Sequence, residues 1–213
     1  MNFTDFKNKT EVIEKFNLKF KIENFVQKKN FDIDDRDTEK ILRNFKRPGV
    51  FACEYSICEM IISPILSDVS YVADLPIWSH YYLENKELDL SGVPDYMFAL
   101  SKEGGDMYKK PVVCLCEAKK EKFDEAWGEI VAAMVVAQKL NGHEEFPIYG
   151  LVSTGRVWEF AKLEGKLLTF NEFDYTVPKE FNEVLDILNW IFCEGRKNAD
   201  LIEEFEQKEN NNN

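Results

Sequence analysis

Apolar positions recur at helical spacing through residues 4–23, where Phe6, Val12, Ile13, Phe16 and Phe20 would share one face. Residues 30–49, NFDIDDRDTEKILRNFKRPG, read as a turn and a short helix. Asp37 or Thr38 would cap that helix, Pro48-Gly49 would stop it, and Arg43, Lys46 and Arg47 fall near its C-terminal end, where cations suit the helix dipole. Residues 50–66, VFACEYSICEMIISPIL, are apolar on most sides and predict a deeply buried third helix. Glu54 and Glu59 stand inside it, and Pro64 marks its last turn or a kink. Residues 67–92 read as loop and short elements.

The pattern then changes period. PDYMFAL (94–100) and VVCLCEAKK (112–120) predict two strands joined by a turn holding Gly104 and Gly105. FDEAWGEIVAAMVVAQKLNG (123–142) predicts a helix entered at Asp124 and closed by Asn141-Gly142. PIYGLVST (147–154) predicts an apolar strand, and residues 156–173 predict two more around a Glu-Gly turn. Residues 177–207 predict a long amphipathic helix with Phe181, Val184, Leu185, Leu188, Ile191 and Phe192 on one face. The order predicts an α/β or α+β fold, α/β being the expected class, with a central mixed sheet flanked by helices. It divides into an N-terminal helical extension (1–47), a main domain (48–205) and a disordered tail (206–213) ending in NNNN.

Charge narrows the function. The formal net charge of -12 argues against a protein that coats DNA generically. Residues 1–50 nevertheless carry twelve Lys/Arg against nine Asp/Glu, leaving 15 against 30 in the remainder. Lys28, Lys29, Arg43, Lys46 and Arg47 are therefore the candidates for contact with a phosphate backbone. The acidic remainder equally suits a protein partner. No apolar run reaches the ~18–20 residues of a membrane span, and the N-terminus is too charged for a signal peptide. A cytoplasmic protein with no membrane partner is expected. Five cysteines form no disulfide framework. Cys114-x-Cys116 lacks a second pair for zinc, with only His80 and His143 to help, and reads as buried, reduced thiols.

The candidate chemistry lies where the second strand meets its charges. Strand alternation puts Val113, Leu115, Glu117 and Lys119 on one face and Val112, Cys114, Cys116 and Ala118 on the other. Pro94 suits the start of the preceding strand, because it cannot donate to a sheet. A hairpin would then bring Asp95 close to Glu117. Two carboxylates and a lysine are the minimum set for metal-assisted phosphodiester hydrolysis. Trp78, Tyr81, Tyr82 and Trp127 would fill the core or stack on bases. Ser153-Thr154 could touch phosphate.

Pro94-Asp95, followed 22 residues after the aspartate by Glu117-Ala118-Lys119, resembles the PD-(D/E)XK nuclease superfamily, the fold of many restriction endonucleases. The order of helix, three strands, helix and strand over residues 50–160 resembles its core. CEYSICEMIISPIL, with Glu54 ten residues before Pro64, resembles a helix in the N-terminal nuclease domains of type I restriction subunits. The resemblance implies a restriction endonuclease-like core and a Mg²⁺-dependent endonuclease of restriction or mobile-element type, with Mn²⁺ as a substitute. Asp95, Glu117 and the Ala118 carbonyl would hold the metal with help from Glu54. Lys119 would serve the attacking water, and Gln138 would orient the site. DNA is the expected substrate, cut as a duplex by a homodimer or by successive nicks. RNA, branched DNA, or a catalytically silent interaction module on the same fold are the alternatives.

Overall fold

A computed structural model describes residues 1–211. A 3₁₀ turn at Phe3–Asp5 leads into α1 (Lys9–Phe16) and then a strand, β1 (Lys19–Ile22). The helix expected over 4–23 is thus broken. Asn17 takes a left-handed conformation (φ 50°) that ends α1, and residues 19–22 pair in parallel with β9 (Leu167–Phe170). Phe20 is 60% exposed on that edge rather than buried on a helix face. Helix α2 (Asp35–Asn44) begins earlier than the sequence suggested, because Asp34 caps it by accepting from the Arg36 N–H at 2.8 Å.

The third helical segment comprises α3 (Glu54–Ile57), a π turn (Cys58–Ile62) and α4 (Ser63–Val72). It runs past the expected end at Leu66. Pro64 has no N–H to offer the Met60 carbonyl four residues back. That carbonyl instead accepts from the buried Asn44 side chain at 2.9 Å, which ties α2 to the π turn.

Short strands β2 (Ile77–Ser79), β3 (Leu83–Asn85) and β4 (Leu90–Gly92) precede the hairpin of β5 (Tyr96–Ser101) and β6 (Tyr108–Ala118). Helix α5 (Phe123–Asn141) crosses to β7 (Ile148–Ser153), and β8 (Val157–Glu164), β9 and β10 (Tyr175–Thr176) follow. Helix α6 (Phe181–Asn211) closes the chain. Residues 206–211, expected to be disordered, continue this helix; 212–213 lie outside the described residues.

The eight-stranded sheet has the order β1-β9-β8-β7-β6-β5-β2, with β10 on β8. Its β6–β7 and β1–β9 pairs are parallel and the others antiparallel, so it is mixed. Helices α4 and α6 cover one face, and α5 with α1 covers the other. Phe3, Phe6, Val12 and Leu18 pack in the core beneath α5, so the N-terminal segment contributes to the same two layers.

Strand β6 carries a bulge. Phe98 pairs with Cys114 and Ala99 with Val112, leaving Val113 extra. Side chains before the bulge therefore change face. Val113 joins Cys114 and Cys116 under α6, while Val112 joins Leu115 under α5, the reverse of simple alternation. Asn141, at the end of α5, holds this point by bonding both the N–H (2.9 Å) and the C=O (2.7 Å) of Val112. Beyond the bulge the alternation is regular, which fixes the direction of Glu117.

Candidate functional site

The β5–β6 ladder reaches Tyr96 opposite Cys116, so one step further Asp95 faces Glu117. Pro94 has no N–H with which to continue the sheet, and Asp95 continues the ladder through its side chain. Its Oδ2 accepts from the Ala118 N–H at 2.7 Å. On the other side of β6, Glu117 pairs with Val152 and Ala118 with Ser153, and the Lys119 N–H donates to the Ser153 carbonyl at 3.0 Å. The site thus sits at the C-terminal ends of two parallel strands.

Lys119 Nζ lies 3.0 Å from Glu117 Oε1 and 3.1 Å from Glu129 Oε1. Burial alone would lower its pKa, but the two carboxylates more than offset that and raise it. Lys119 is an ammonium at neutral pH. Glu117 is 5% exposed. Burial and then the Asp95 charge push its carboxyl well above the usual range, against the opposing pull of Lys119. Burial raises Asp95 as well, opposed by the Ala118 N–H, His80 and Lys119. His80, in a left-handed conformation (φ 51°), lies with Nε2 3.4 Å from Asp95 Oδ1.

Glu54 opens α3, and its Oε1 accepts from the Lys120 N–H at 3.4 Å. Of the two glutamates in this helical segment, Glu54 is the one that bonds to the Glu117–Lys120 stretch; Glu59 is exposed further along. Gln138 does not reach the site. It lies nine residues beyond Glu129, about 13 Å along α5 at 1.5 Å per residue. There it is 4% exposed and its Nε2 donates to the Glu144 carbonyl at 3.4 Å, holding the loop after the helix. Its polarity serves a helix end, not the acidic cluster.

Two participants escaped the sequence reading. Glu129 is the only charged residue between Glu125 and Lys139, an isolated charge on a helix that is otherwise buried, and that isolation was the available signal. His80 figures in the sequence only as help for zinc, because the stretch around it shows no clear pattern. A further carboxylate, Glu159, pairs across Val152 from Glu117 and accepts from the buried Trp127 indole. Trp127 is thus a core residue, and Trp78 packs edge-on against Tyr81 and Tyr108. The Ser153 hydroxyl is used within its own turn, donating to the Val157 carbonyl at 3.0 Å. The cysteines are free, and burial raises the Cys114 and Cys116 thiols well above their ordinary value.

The Asp95 and Glu117 carboxylates, both raised by burial and Glu117 also by the Asp95 charge, are hard oxygen donors of the kind Mg²⁺ takes. Among the described residues no three His, Cys, Asp or Glu side chains close into a cation cage. A Mg²⁺ ion bound through one or two carboxylates and several waters needs none. Also among the described residues, no helix is long and apolar enough to cross a membrane. The sequence matches no protein-family model and no curated protein.

Proposed function

We propose that the chain is a Mg²⁺-dependent nuclease of the PD-(D/E)XK type, acting on DNA as an endonuclease. The observation that carries this reading is the 2.7 Å bond from the Ala118 N–H to Asp95, which joins the Pro94-Asp95 corner to the Glu117-Ala118-Lys119 strand end. Asp95, Glu117 and the Ala118 carbonyl would hold the ion, with Glu54 beside them and Mn²⁺ as a substitute. When bound, such an ion polarises the phosphoryl oxygen and lowers the pKa of a coordinated water.

The protein's own groups divide the remaining work. Asp95 and Glu117, kept close at the expense of mutual repulsion, draw a cation to one point. Lys119 serves the attacking water from its place between Glu117 and Glu129. It donates hydrogen bonds that orient the attacking water and offsets charge developing on the phosphate. Glu129 holds the ammonium from the helix side, fixing Lys119 between two elements.

The test is incubation of plasmid, linear duplex, single-stranded DNA and RNA with the protein in Mg²⁺ or Mn²⁺, alongside Asp95→Ala and Lys119→Ala. Cutting by the natural chain should fall by roughly 10²-fold or more in either variant, the scale of losing an electrostatic stabiliser. Undiminished cutting in both would show the site to be wrong. Calorimetric titration with Mg²⁺ separates this reading from a metal-blind interaction module.

A further inference from the structure

The chain has five arginines. Two of them, Arg43 and Arg156, line a single groove of about 540 Å³ with Lys46, floored by Phe45 and Pro178 and holding one carboxylate, Glu39. A third, Arg47, follows directly after Lys46 and is exposed. Among the described residues none of these four cations forms an ion pair, although acidic residues outnumber basic ones by 39 to 27.

The groove is built rather than incidental. Arg156 sits in the β7–β8 turn, and its guanidinium lies 3.9 Å from the Phe51 ring centroid and 5.7 Å from that of Phe45. Stacking orders the guanidinium without using its N–H donors, which are the groups that grip phosphate. The turn reaches this position because Gly155 (φ +75°) lies against the junction of α3 with the π turn; a Cβ there would come within 2.8 Å of Ile57 Cγ2 and 3.4 Å of Ile61 Cγ2. Thr154 and Val157 close the turn with bonds of 3.1 Å in both directions. Arg43 and Lys46 come from the far side, on α2 and just past its end, held by Asn44 against Met60.

Two short links join the groove's lining to the acidic site. Arg156 follows Ser153 by three residues, and Ser153 pairs with Ala118. Lys120 extends from the site to the Ala52 carbonyl, next to Phe51, at 3.4 Å. We infer that this groove seats the phosphodiester backbone of the nucleic acid and leads it past Lys120 to Asp95 and Glu117. Arg43, Lys46 and Arg156 contact phosphates while Phe45 supports the sugar–base side. The identity of the ligand rests on the nuclease reading. The groove itself rests on charge complementarity in a chain whose overall charge repels nucleic acid.

The test is fluorescence anisotropy of labelled duplex DNA, single-stranded DNA and RNA oligonucleotides in chelator, across a salt series. For a duplex, log K should fall against log salt with a slope of about -0.9 per phosphate neutralised. The triple variant Arg43→Ala/Lys46→Ala/Arg156→Ala should therefore lose about 2–3 from the slope and bind at least tenfold more weakly at low salt. Arg156→Lys should keep most of the slope while losing affinity. Lys86→Ala/Lys102→Ala/Lys166→Ala removes the same charge elsewhere and should change the slope far less. All these side chains are exposed, so matching melting curves will establish that each variant folds. Two results overturn the inference: a triple variant that binds as the natural chain does, or a natural chain that binds none of the three probes. The nuclease reading fails separately. Binding through the groove with no cutting in Mg²⁺ sinks that reading and keeps the groove, and Asp95-dependent cutting with groove-independent binding does the converse.

Discussion

Glu117→Gln should raise the melting temperature of the protein in chelator and abolish its response to Mg²⁺. The carboxylate is buried beside Asp95, and its folded pKa is raised. A carboxyl raised on folding costs stability above its folded pKa, and the cost disappears below its unfolded value near 4.3. Glutamine removes that cost and keeps an oxygen for Lys119, which also retains Glu129 at 3.1 Å. Weakening one charge-assisted bond to a neutral one gives back about 1 kcal/mol. The net gain should be about 1 kcal/mol, the scale of a single stabilising substitution. That is about 2–4 °C for a chain of this size. The gap should be widest at neutral pH and close toward pH ~4. Mg²⁺ at a hundred times its Kd should stabilise the natural chain by about 2.7 kcal/mol, or about 5–11 °C, and should leave the variant unmoved. Calorimetric or fluorescence melting over a pH series measures both effects. A variant that melts below the natural chain in chelator at neutral pH would refute the reasoning, because the Glu117–Lys119 pair would then be stabilising the fold outright. A surviving Mg²⁺ shift would remove Glu117 from the ion's ligands.

Mg²⁺ binding should also weaken on acidification while the pH is still above 4.5, the ordinary Glu value, because burial raises both Asp95 and Glu117 and the ion needs them ionised; a full thermal shift persisting at pH 4.5 would contradict this. Glu129→Gln should slow cutting roughly tenfold, about 1.4 kcal/mol, with the Mg²⁺ thermal shift retained; loss of both together would make Glu129 a ligand rather than the residue that positions Lys119. Asn44→Ala leaves the buried Met60 carbonyl without its partner and should cost about 1–3 kcal/mol, read as a lower melting temperature and faster amide exchange in residues 58–66. Trp127→Phe removes the indole donor from half-buried Glu159 and should destabilise by a similar ~1–3 kcal/mol; an unchanged melting temperature would show that water replaces the indole.

The hairpin, α5 and the strands after it follow period and turn chemistry, and they were legible because each buries a face of its own. The convergence of Asp95, Glu117 and Lys119 was legible for the same reason, since a hairpin puts strand ends side by side. What escaped depends on partners far away in sequence. Residues 19–22 become a strand only because β9 offers an edge, and Lys19, Phe20, Lys21 and Ile22 are all exposed, so no buried face announces them. Val112 and Val113 exchange faces because of a bulge that Asn141 stabilises from 29 residues away. Gln138 was misplaced because an isolated polar residue on a buried helix marks a need for a partner without saying which. Glu129 has the same signature and does meet the site.

The parallel pairing of β1 with β9 gives synthesis an order. Lys19 faces Leu167, so 148 residues must be made before the first strand finds its neighbour. At ~5–20 residues per second on the ribosome, this is a wait of about 7–30 s. During that interval a short segment alternating lysine with Phe20 and Ile22 has no edge to join. The lysines make it a poor template for pairing with another copy of itself, so the nascent chain carries its own protection against premature association until β9 emerges.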